Sequence, residues 1–133
     1  MGSFIARLPV HLEDSDDLYR WVHKEHHENG ALKPGAFIMK KKDTDGLSIA
    51  IAKLTSRQDF HNRAAAQYTA SVVLKVKVPR EKGLLVVHDG VGHSSHGTIT
   101  GFQVGFSNKQ LTDMERYFIM ACVGTLEEIA HSL

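Results

Sequence analysis

A regular alternation of apolar and charged residues in the stretch ASVVLKVKVP, residues 70–79, constrains the fold more than any other feature of this sequence. Apolar side chains occupy every second position from 72 to 78, whereas the intervening Lys75 and Lys77 are charged. Because successive side chains of a strand point to opposite faces, the pattern predicts a strand with one face in the core and one in water. Pro79 is expected to end this strand, since proline cannot donate a hydrogen bond to a sheet.

Earlier segments predict strands that pair with each other. KPGAFIM, residues 33–39, and LSIAIAKL, residues 47–54, are rich in strand-forming residues, and the second alternates large apolar side chains with smaller ones. The Asp-Gly step in KKKDTDG between them favours a tight turn, so the two segments predict an antiparallel hairpin. Before them, residues 18–22 predict either a short strand that leads into a loop or a short helical turn, which we favour, or part of a helix that ends at Gly30.

Two later segments also predict strands. The continuous apolar run LLVVH, residues 84–88, is typical of a strand buried on both faces. GTITGFQVGF, residues 97–106, predicts a further strand. Its apolar residues shift from odd to even positions at Gly101, and a bulge there would keep them on one face of the sheet. Together the predicted strands favour a mainly antiparallel mixed sheet.

Two segments predict helices. In residues 56–67 the apolar residues no longer alternate with a period of two. Thr55 and Gln58 offer a capping box, and three alanines add helix propensity. Residues 113–131 carry an apolar helical face and follow a second capping box at residues 112–115. We therefore predict an α+β fold, a single domain in which the sheet is packed by these two helices.

The predicted C-terminal helix has more apolar residues than are needed to pack one of its faces against the sheet. Ile119, Met120 and Val123 widen its apolar face. The helix is therefore either sandwiched in the core, which we favour, or partly buried in a homodimer.

Length and composition favour one compact domain over residues 1–133, because 133 residues with 42% hydrophobic content can bury one core of ordinary size. The 16 basic and 15 acidic side chains leave a formal charge of +1, which creates no field that would attract nucleic acid. No apolar run could span a bilayer and no signal peptide is recognisable, so we expect no membrane partner and a cytoplasmic location. The single cysteine, Cys122, excludes an internal disulfide and is expected to be a buried, unreactive thiol.

A histidine-rich segment, VVHDGVGHSSHGTITG at residues 86–101, is the first candidate for chemistry. Three histidines and one aspartate lie within nine residues of it: His88, Asp89, His93 and His96. Imidazole and carboxylate groups are ligands that zinc accepts, but this spacing matches no established ligand pattern. A polar turn between strands is therefore favoured over a metal site, and no cofactor is expected. The chain also has no phosphate-cradling glycine-rich loop, dinucleotide fingerprint or nucleophile elbow.

A second candidate is LYRWVHKEHHENG, residues 18–30, in which Arg20 lies between two aromatic residues. A guanidinium in such a setting can bind a carboxylate or phosphate through its planar fork. The alternative is that Arg20 extends from a partly buried strand to pair with an acidic residue of the segment 13–17. The three histidines that follow alternate with charged residues and indicate a solvated face.

Four short motifs follow one another between residues 18 and 101: Leu-x-Arg, Ala-Phe, Leu-Ser and a late His-small-hydrophobic element. They fall at Arg20, Ala36 and Phe37, Leu47 and Ser48, and His96 and Gly97. In this order they resemble a family of small bacterial proteins that lacks an assigned activity. The chain departs from the family at position 97, where alanine is more usual than glycine, and in the additional histidines at positions 88 and 93.

The resemblance implies a set of three polar residues on separate strands, Arg20, Ser48 and His96. If these strands are neighbours, the side chains would converge on one pocket. Arginine would then hold an anion, serine would orient the ligand, and histidine would act as a hydrogen-bond donor or base.

Three functional hypotheses follow. The first, which the sequence favours, is a binding or interaction module that is homodimeric through the C-terminal helix or acts with another protein. The alternative is a small enzyme or binder that acts on a small anionic ligand, phosphorylated or nucleotide-like, through Arg20, Ser48 and His96. The third is metal binding by the loop at residues 88–96. Convergence of the three polar residues on one concave pocket would favour the second hypothesis.

Overall fold

The computed structural model describes residues 9–42 and 44–131, which form an α+β fold around an antiparallel sheet. In chain order the strands are β1 Asp17–His23, β2 His27–Glu28, β3 Ala31–Leu32, β4 Leu47–Ile51, β5 Tyr68–Lys75, β6 Leu85–His88, β7 His96–Thr100 and β8 Glu127–Glu128. Six of these described strands form the main sheet in the order β6-β7-β4-β1-β5-β8, and β2 and β3 form a separate ribbon. The predicted fold class and the mainly antiparallel pairing are confirmed.

The helices of the described residues are α1 Arg57–Asn62, α2 Lys77–Glu81 and α3 Asn108–Ala121. None of them is long and apolar enough to cross a membrane. α1 begins after Ser56, whose Oγ accepts a hydrogen bond from N of Asp59 at 3.0 Å, but it ends five residues short of the predicted residue 67. The alanines at 64–66 lie outside the helix because the chain must reverse before β5, and this tertiary demand overrides their propensity.

The C-terminal helix does not lie at its predicted position, residues 113–131. α3 begins after Ser107, which forms a capping box with Gln110, so the box predicted at residues 112–115 is not used. The chain then turns at Gly124, where φ is +82°, a left-handed conformation that favours glycine. The residues beyond this turn form β8, which pairs with β5 at the sheet edge instead of continuing the helix.

The apolar face of α3 is narrower than predicted. Phe118 and Cys122 are buried, and burial raises the pKa of the Cys122 thiol to about 12, as expected for an unreactive group. Met120 and Val123, by contrast, are 73% and 77% exposed. These two side chains are therefore not part of the core of the described protein.

The strand predicted at residues 70–79 is only partly correct, because β5 ends at Lys75 and α2 follows. N of Val76 donates to O of Asp16, so the chain leaves the sheet there. Pro79 lies in the first turn of α2, where a helix has no partner for the backbone N–H that proline lacks. Val76 and Val78 are still buried, so the alternating pattern identified core residues but not the conformation of the last four.

The predicted hairpin is wrong, because residues 33–39 form a turn and an irregular segment instead of a strand. Their backbone groups bind a side chain: N of Gly35 and N of Phe37 both donate to Oε2 of Glu115 in α3, at 2.9 and 3.0 Å. Gly35 also has φ +113°, which an extended strand does not use. β4 itself is confirmed as a strand, whereas position 43 of the predicted turn lies outside the described residues.

β6 and β7 differ from prediction in burial and in length. β6 is the edge strand of the sheet, and its Leu85 and Val87 are 61% and 43% exposed, so it is not buried on both faces. β7 ends at Thr100, and Gly101 with φ +102° turns the chain away instead of forming a bulge within a longer strand. Phe102 reaches the core from the loop that follows.

One face of the sheet carries most of the core. Leu18 in β1 pairs with Ile51 of β4 and Leu74 of β5, and all three are at most 1% exposed. Phe37 and Phe118 join the same cluster and pack edge to face, with ring centroids 5.5 Å apart. The strand predicted at residues 18–22 is thus confirmed as a central strand.

A buried histidine in α1 makes the stability of the protein depend on pH. His61 is 7% exposed, and its Nε2 lies 2.7 Å from Oγ of the fully buried Ser71. Burial lowers the pKa of His61 below its ordinary value of 6.5, so the unfolded chain binds a proton at a pH at which the folded protein does not. Above pH 6.5 the residue is neutral in both states, and the free energy of unfolding falls as the pH drops from there toward the folded pKa.

We expect the variant His61→Gln to lose less stability than the wild type between about pH 7.5 and about pH 5, measured by urea unfolding. The glutamine side chain can still hydrogen-bond Ser71 but does not titrate. An equal loss in the two proteins would contradict the assignment to His61.

Candidate functional site

A cavity of about 410 Å³ lies between the sheet, the end of α1 and the loop that connects β6 to β7. Its wall contains six polar residues and three aromatic ones: Arg20, Ser48, Arg63, His93, Ser95 and His96, with Trp21, Phe60 and Tyr68. Trp21 stacks on Phe60 with centroids 4.4 Å apart, and its Nε1 donates to O of Phe60, so the aromatic wall is fixed.

The three residues implied by the resemblance all border this cavity. His96 of β7 pairs with Ala50 of β4, so the side chains of His96 and Ser48 lie on the same face of the sheet. Arg20 pairs with Val72, which belongs to the core face. The structure therefore brings Ser48 and His96 together on one wall, and Arg20 borders the cavity from the other side of the sheet.

The guanidinium of Arg20 is bound by backbone carbonyl groups. Nε donates to O of Ala36 and Nη1 donates to O of Ser48, both at 2.8 Å. The group lies 5.2 Å from the centroid of the Phe37 ring, and burial lowers its pKa to about 10, which leaves it charged at neutral pH. Arg20 thus fastens the segment 33–39 to β4, and its predicted role toward an anion stays a prediction.

His96 is held by the carboxylate of Asp89. Nδ1 of His96 lies 2.5 Å from Oδ1 of Asp89, and Oγ1 of Thr98 donates to Oδ2 at 2.6 Å. N of Val91 donates to Oδ1 at 3.1 Å. Partial burial by itself raises the pKa of Asp89, but the hydrogen bonds from Thr98 and His96 outweigh it and hold this pKa below the ordinary value of 3.8.

The ionised Asp89 fixes the proton of His96. A carboxylate can only accept a hydrogen bond, so Nδ1 of His96 carries a proton and the lone pair of the neutral ring is at Nε2. No described residue forms a hydrogen bond with that Nε2, and the side chain is 24% exposed. The Nε2 atom of His96 is therefore free to accept a hydrogen bond or a proton.

The loop after β6 folds back so that Asp89 can reach His96. Gly90 and Gly92 have φ +64° and +77°, the left-handed region that favours glycine. N of Asp89 and N of Gly90 both donate to O of His96, at 3.2 and 3.0 Å. These glycines allow the loop to turn back, so that the side chains of Asp89 and His96, seven residues apart, form a hydrogen bond.

A second histidine of the cavity is bound by a different chain of hydrogen bonds. N of Ser95 donates to Nδ1 of His93 at 3.1 Å, and Oγ of Ser95 lies 2.7 Å from the same nitrogen. Nη2 of Arg63 donates to that Oγ at 3.2 Å, and Nη1 of Arg63 donates to Oγ1 of Thr55 at 3.2 Å. Ser95 is fully buried, so Arg63 and His93 are joined through the cavity wall.

The four residues weighed as a metal site do not form a ligand set. Nδ1 of His88 accepts from N of Val10 at 3.0 Å, and its Nε2 lies 2.6 Å from O of Ser94, so both nitrogens are occupied. Asp89 is taken up by His96 and by two other donors. Throughout residues 9–42 and 44–131, no group of three or more histidine, cysteine, aspartate or glutamate side chains is placed to hold a metal ion.

The histidines that follow Arg20 take part in local contacts. Nδ1 of His23 accepts from N of Glu25 at 3.1 Å and begins the 3-10 turn after β1. Nε2 of His27 lies 2.6 Å from Oγ1 of Thr69. Neither side chain lines the cavity, so the second candidate segment contributes only its first residues to the site.

Three members of the site were not predicted as such. The sequence places Asp89 in a polar turn, although an aspartate followed by two glycines and a histidine seven residues later is a signal that indicates the pair. The sequence likewise predicts His93 as part of this turn, with a metal ligand as the alternative. Arg63 gave no signal, because the sequence predicted a helix that continues past it.

Position 97 has no room for a side chain. A Cβ atom on Gly97 would lie 2.8 Å from O of Val87 and 2.8 Å from Cδ1 of Ile49, so an alanine does not fit without a shift of β6. The resemblance rests on the four short motifs alone. No protein-family model matches this chain, and no match to it was found among curated proteins or among solved structures.

Proposed function

We propose that the protein binds a small phosphorylated or nucleotide-like ligand in the cavity and transfers a proton to or from it at His96. The observation that carries this proposal is the 2.5 Å contact between Nδ1 of His96 and Asp89, in a residue that lines a cavity of ligand size. This contact places the ring proton on Nδ1 and leaves Nε2 of His96 to a ligand, because no described residue forms a hydrogen bond with Nε2.

The charges around the cavity favour an anionic ligand. Arg20 and Arg63 border it, whereas none of its described lining residues is an aspartate or glutamate. The arginine ion pairs within the described chain involve Arg57 and Arg80, so neither cavity arginine contacts a carboxylate directly, although the charge of Glu115 acts on Arg20 at longer range. An excess of positive charge in a recess raises the local concentration of anions.

His96 supplies the chemistry that this proposal requires. In the hydrolysis of a phosphate ester, the proton of the attacking water passes to Nε2 while the new P–O bond forms. The same proton then passes to the leaving oxygen as the ester P–O bond breaks. The carboxylate of Asp89 stabilises the intermediate imidazolium, and the exposed hydroxyl of Ser48 on the same face orients the ligand.

The test compares His96→Gln and Asp89→Asn with the wild type. Release of nitrophenolate from p-nitrophenyl phosphate and bis(p-nitrophenyl) phosphate measures turnover, and an NMR titration with inorganic phosphate measures binding. We expect either substitution to lower kcat/KM by ~10²–10⁴-fold, the usual contribution of a positioned base. His11→Gln, which changes an exposed histidine outside the cavity, is the matched control and is expected to leave turnover unchanged.

Three results would contradict the proposal. Turnover that persists in His96→Gln would assign the chemistry to other groups. Phosphate binding at the His96 ring without turnover of either ester would contradict proton transfer and leave only a binder of anions. A wild-type protein that shows neither turnover nor phosphate-dependent shifts would contradict both parts.

A second candidate function is an interaction module that pairs with another copy of the chain through α3. The observation that favours it is the exposure of Met120 and Val123, 73% and 77%, near the end of that helix. Sedimentation equilibrium is expected to detect a dimer that Met120→Glu converts to a monomer. A wild-type protein that stays monomeric into the millimolar range would exclude this candidate.

A further inference from the structure

The hydrogen bonds around His93 determine where its ring proton lies. A backbone N–H can only donate, so the 3.1 Å contact from N of Ser95 makes Nδ1 of His93 an acceptor. Oγ of Ser95 receives a hydrogen bond from Arg63 and so directs its own proton to the same Nδ1, 2.7 Å away. The ring proton of His93 is therefore on Nε2.

His93 and His96 both line the cavity, and their Nε2 atoms consequently carry opposite groups, a donor and an acceptor. His96 carries its proton on Nδ1, facing Asp89, and offers a lone pair at Nε2. His93 offers an N–H at Nε2, and losing that proton would leave an imidazolate, so it serves as a hydrogen-bond donor and not as an acid. N of His96 donates to O of His93 at 2.9 Å, which places both rings on one tight turn.

We propose that His93 and His96 act as a fixed donor and acceptor pair that selects a phosphate ester with a free hydroxyl on the neighbouring carbon. Nε2–H of His93 donates a hydrogen bond to an anionic oxygen of the phosphate, and Nε2 of His96 accepts a hydrogen bond from the hydroxyl. This inference rests on the proposed function, because it names the ligand class of the same cavity. A ribonucleoside 3′-phosphate meets the requirement, since its 2′-hydroxyl lies next to the phosphate.

The remaining walls of the cavity suit such a ligand. Arg63 lies on the same hydrogen-bonded chain as His93 and adds positive charge beside the phosphate position. Trp21, Phe60 and Tyr68 provide an aromatic wall against which the base of a nucleotide can pack. Arg63 and Ser95 are positioning residues in this arrangement, because they fix the proton of His93 in place.

The first measurement is the protonation pattern of the two rings in the ligand-free wild type, by long-range ¹H–¹⁵N correlation. We expect His93 to show the pattern of a ring protonated at Nε2 and His96 that of a ring protonated at Nδ1. This readout requires no variant and does not depend on catalysis. The same pattern at both histidines would overturn the inference.

The second measurement compares adenosine 3′-monophosphate with 2′-deoxyadenosine 3′-monophosphate by calorimetric titration. The wild type is expected to bind the ribonucleotide about tenfold more tightly, the effect of one well-placed hydrogen bond. His96→Leu, which removes the acceptor, is expected to abolish this preference. His93→Leu is expected to weaken the binding of both nucleotides and of inorganic phosphate, but to keep the preference for the ribonucleotide.

The outcomes separate this inference from the proposed function. Equal affinity of the wild type for the two nucleotides overturns the donor and acceptor pair but leaves anion binding in place. A preference that survives in His96→Leu also overturns it, because another group would then be the acceptor. Failure of both nucleotides and of inorganic phosphate to bind overturns the inference together with the proposed function.

Discussion

Replacing Arg20 by methionine is expected to lower the free energy of unfolding by about 3 kcal/mol, because the carbonyl groups of the buried Ala36 and of Ser48 lose a charged donor. Nε and Nη1 of Arg20 bind O of Ala36 and O of Ser48, each at 2.8 Å. Methionine retains much of the apolar stem that packs beside Phe37 but supplies no N–H group.

The loss is expected to be large because the segment that Arg20 holds has few other attachments. Residues 33–39 lie outside the sheet, and N of Gly35 and N of Phe37 bind the carboxylate of Glu115 in α3. Arg20 and Glu115 thus fasten this segment to β4 and to the C-terminal helix, respectively. Without Arg20, Phe37, which is fully buried, is held in the core by packing and by Glu115 alone.

Urea unfolding measures the effect. Arg20→Lys is expected to lose an intermediate amount, since an ammonium group cannot match the two fixed directions of the guanidinium. The matched control is Lys75→Met, which removes a cation of the same sheet from an ion pair with Asp17 whose side chains are 50% and 42% exposed. This control is expected to change stability by less than about 1 kcal/mol.

An Arg20→Met protein with unchanged stability but without phosphate binding would contradict the structural role. Arg20 would then act on the ligand as an anion-binding group, the role that the sequence motif implies. If Arg20→Met loses both stability and phosphate binding, unfolding could account for the lost binding. Phosphate binding is then measured in Arg20→Lys under conditions in which that variant is fully folded.

The central strands of the fold could be predicted because their burial pattern follows directly from the sequence. β1 and β4 lie in the middle of the sheet, where a short apolar segment flanked by turn residues has few alternatives. The edge position of β6 could not be predicted, since LLVVH is equally apolar whether it is covered on two faces or left 61% exposed at Leu85. Burial there depends on what the rest of the chain places beside the strand.

Two errors share a physical cause, the satisfaction of backbone groups by distant residues. The segment 33–39 has the composition of a strand, but the carboxylate of Glu115, which lies 80 positions from Gly35, binds its N–H groups. The segment 76–79 alternates like a strand, but N of Val76 binds O of Asp16 and the chain turns into a helix. Local propensity carries no information about such long-range partners.

The candidate site could be predicted only in part for the same reason. His96 and Ser48 stand in recognisable motifs, and their alternation with core residues places both on the cavity face. Asp89 reaches His96 only because two glycines adopt left-handed conformations. Arg63 enters the site only because α1 ends one residue before it, which helix propensity does not indicate.

Replacing Arg57 by methionine is expected to destabilise the protein by about 3 kcal/mol, because its partly buried guanidinium holds two carbonyl groups and a buried hydroxyl. Nη2 donates to O of Ser71 and O of Thr125, at 2.9 and 2.5 Å, and Nε donates to Oγ of Ser71 at 2.9 Å. The side chain is 20% exposed and Ser71 is fully buried, so water cannot replace all of these contacts. Arg57 thereby connects α1 to β5 and to the turn before β8.

The ion pair of Arg57 with Glu127 makes a smaller contribution than these carbonyl contacts. The two side chains approach to 2.9 Å, but that of Glu127 is 60% exposed and its charge is screened by solvent. Glu127→Gln is therefore the matched control, and it is expected to cost less than about 1 kcal/mol in urea unfolding. Equal losses in the two variants would show that the ion pair, and not the carbonyl contacts, accounts for the effect.

Hydrogen exchange locates the consequence within the fold. N of Ile129 donates to O of Thr69 at 2.9 Å, which fastens the chain after β8 to the sheet. When Arg57 no longer binds O of Thr125, β8 is expected to open more often than β1 does, because β1 is paired on both sides. The amide of Ile129 should therefore exchange faster in Arg57→Met than in the wild type. The exchange rates of the β1 amides should change only as much as the loss of global stability requires. Uniform acceleration across the sheet would mean that Arg57 stabilises the whole fold without a particular role for the C-terminal strand.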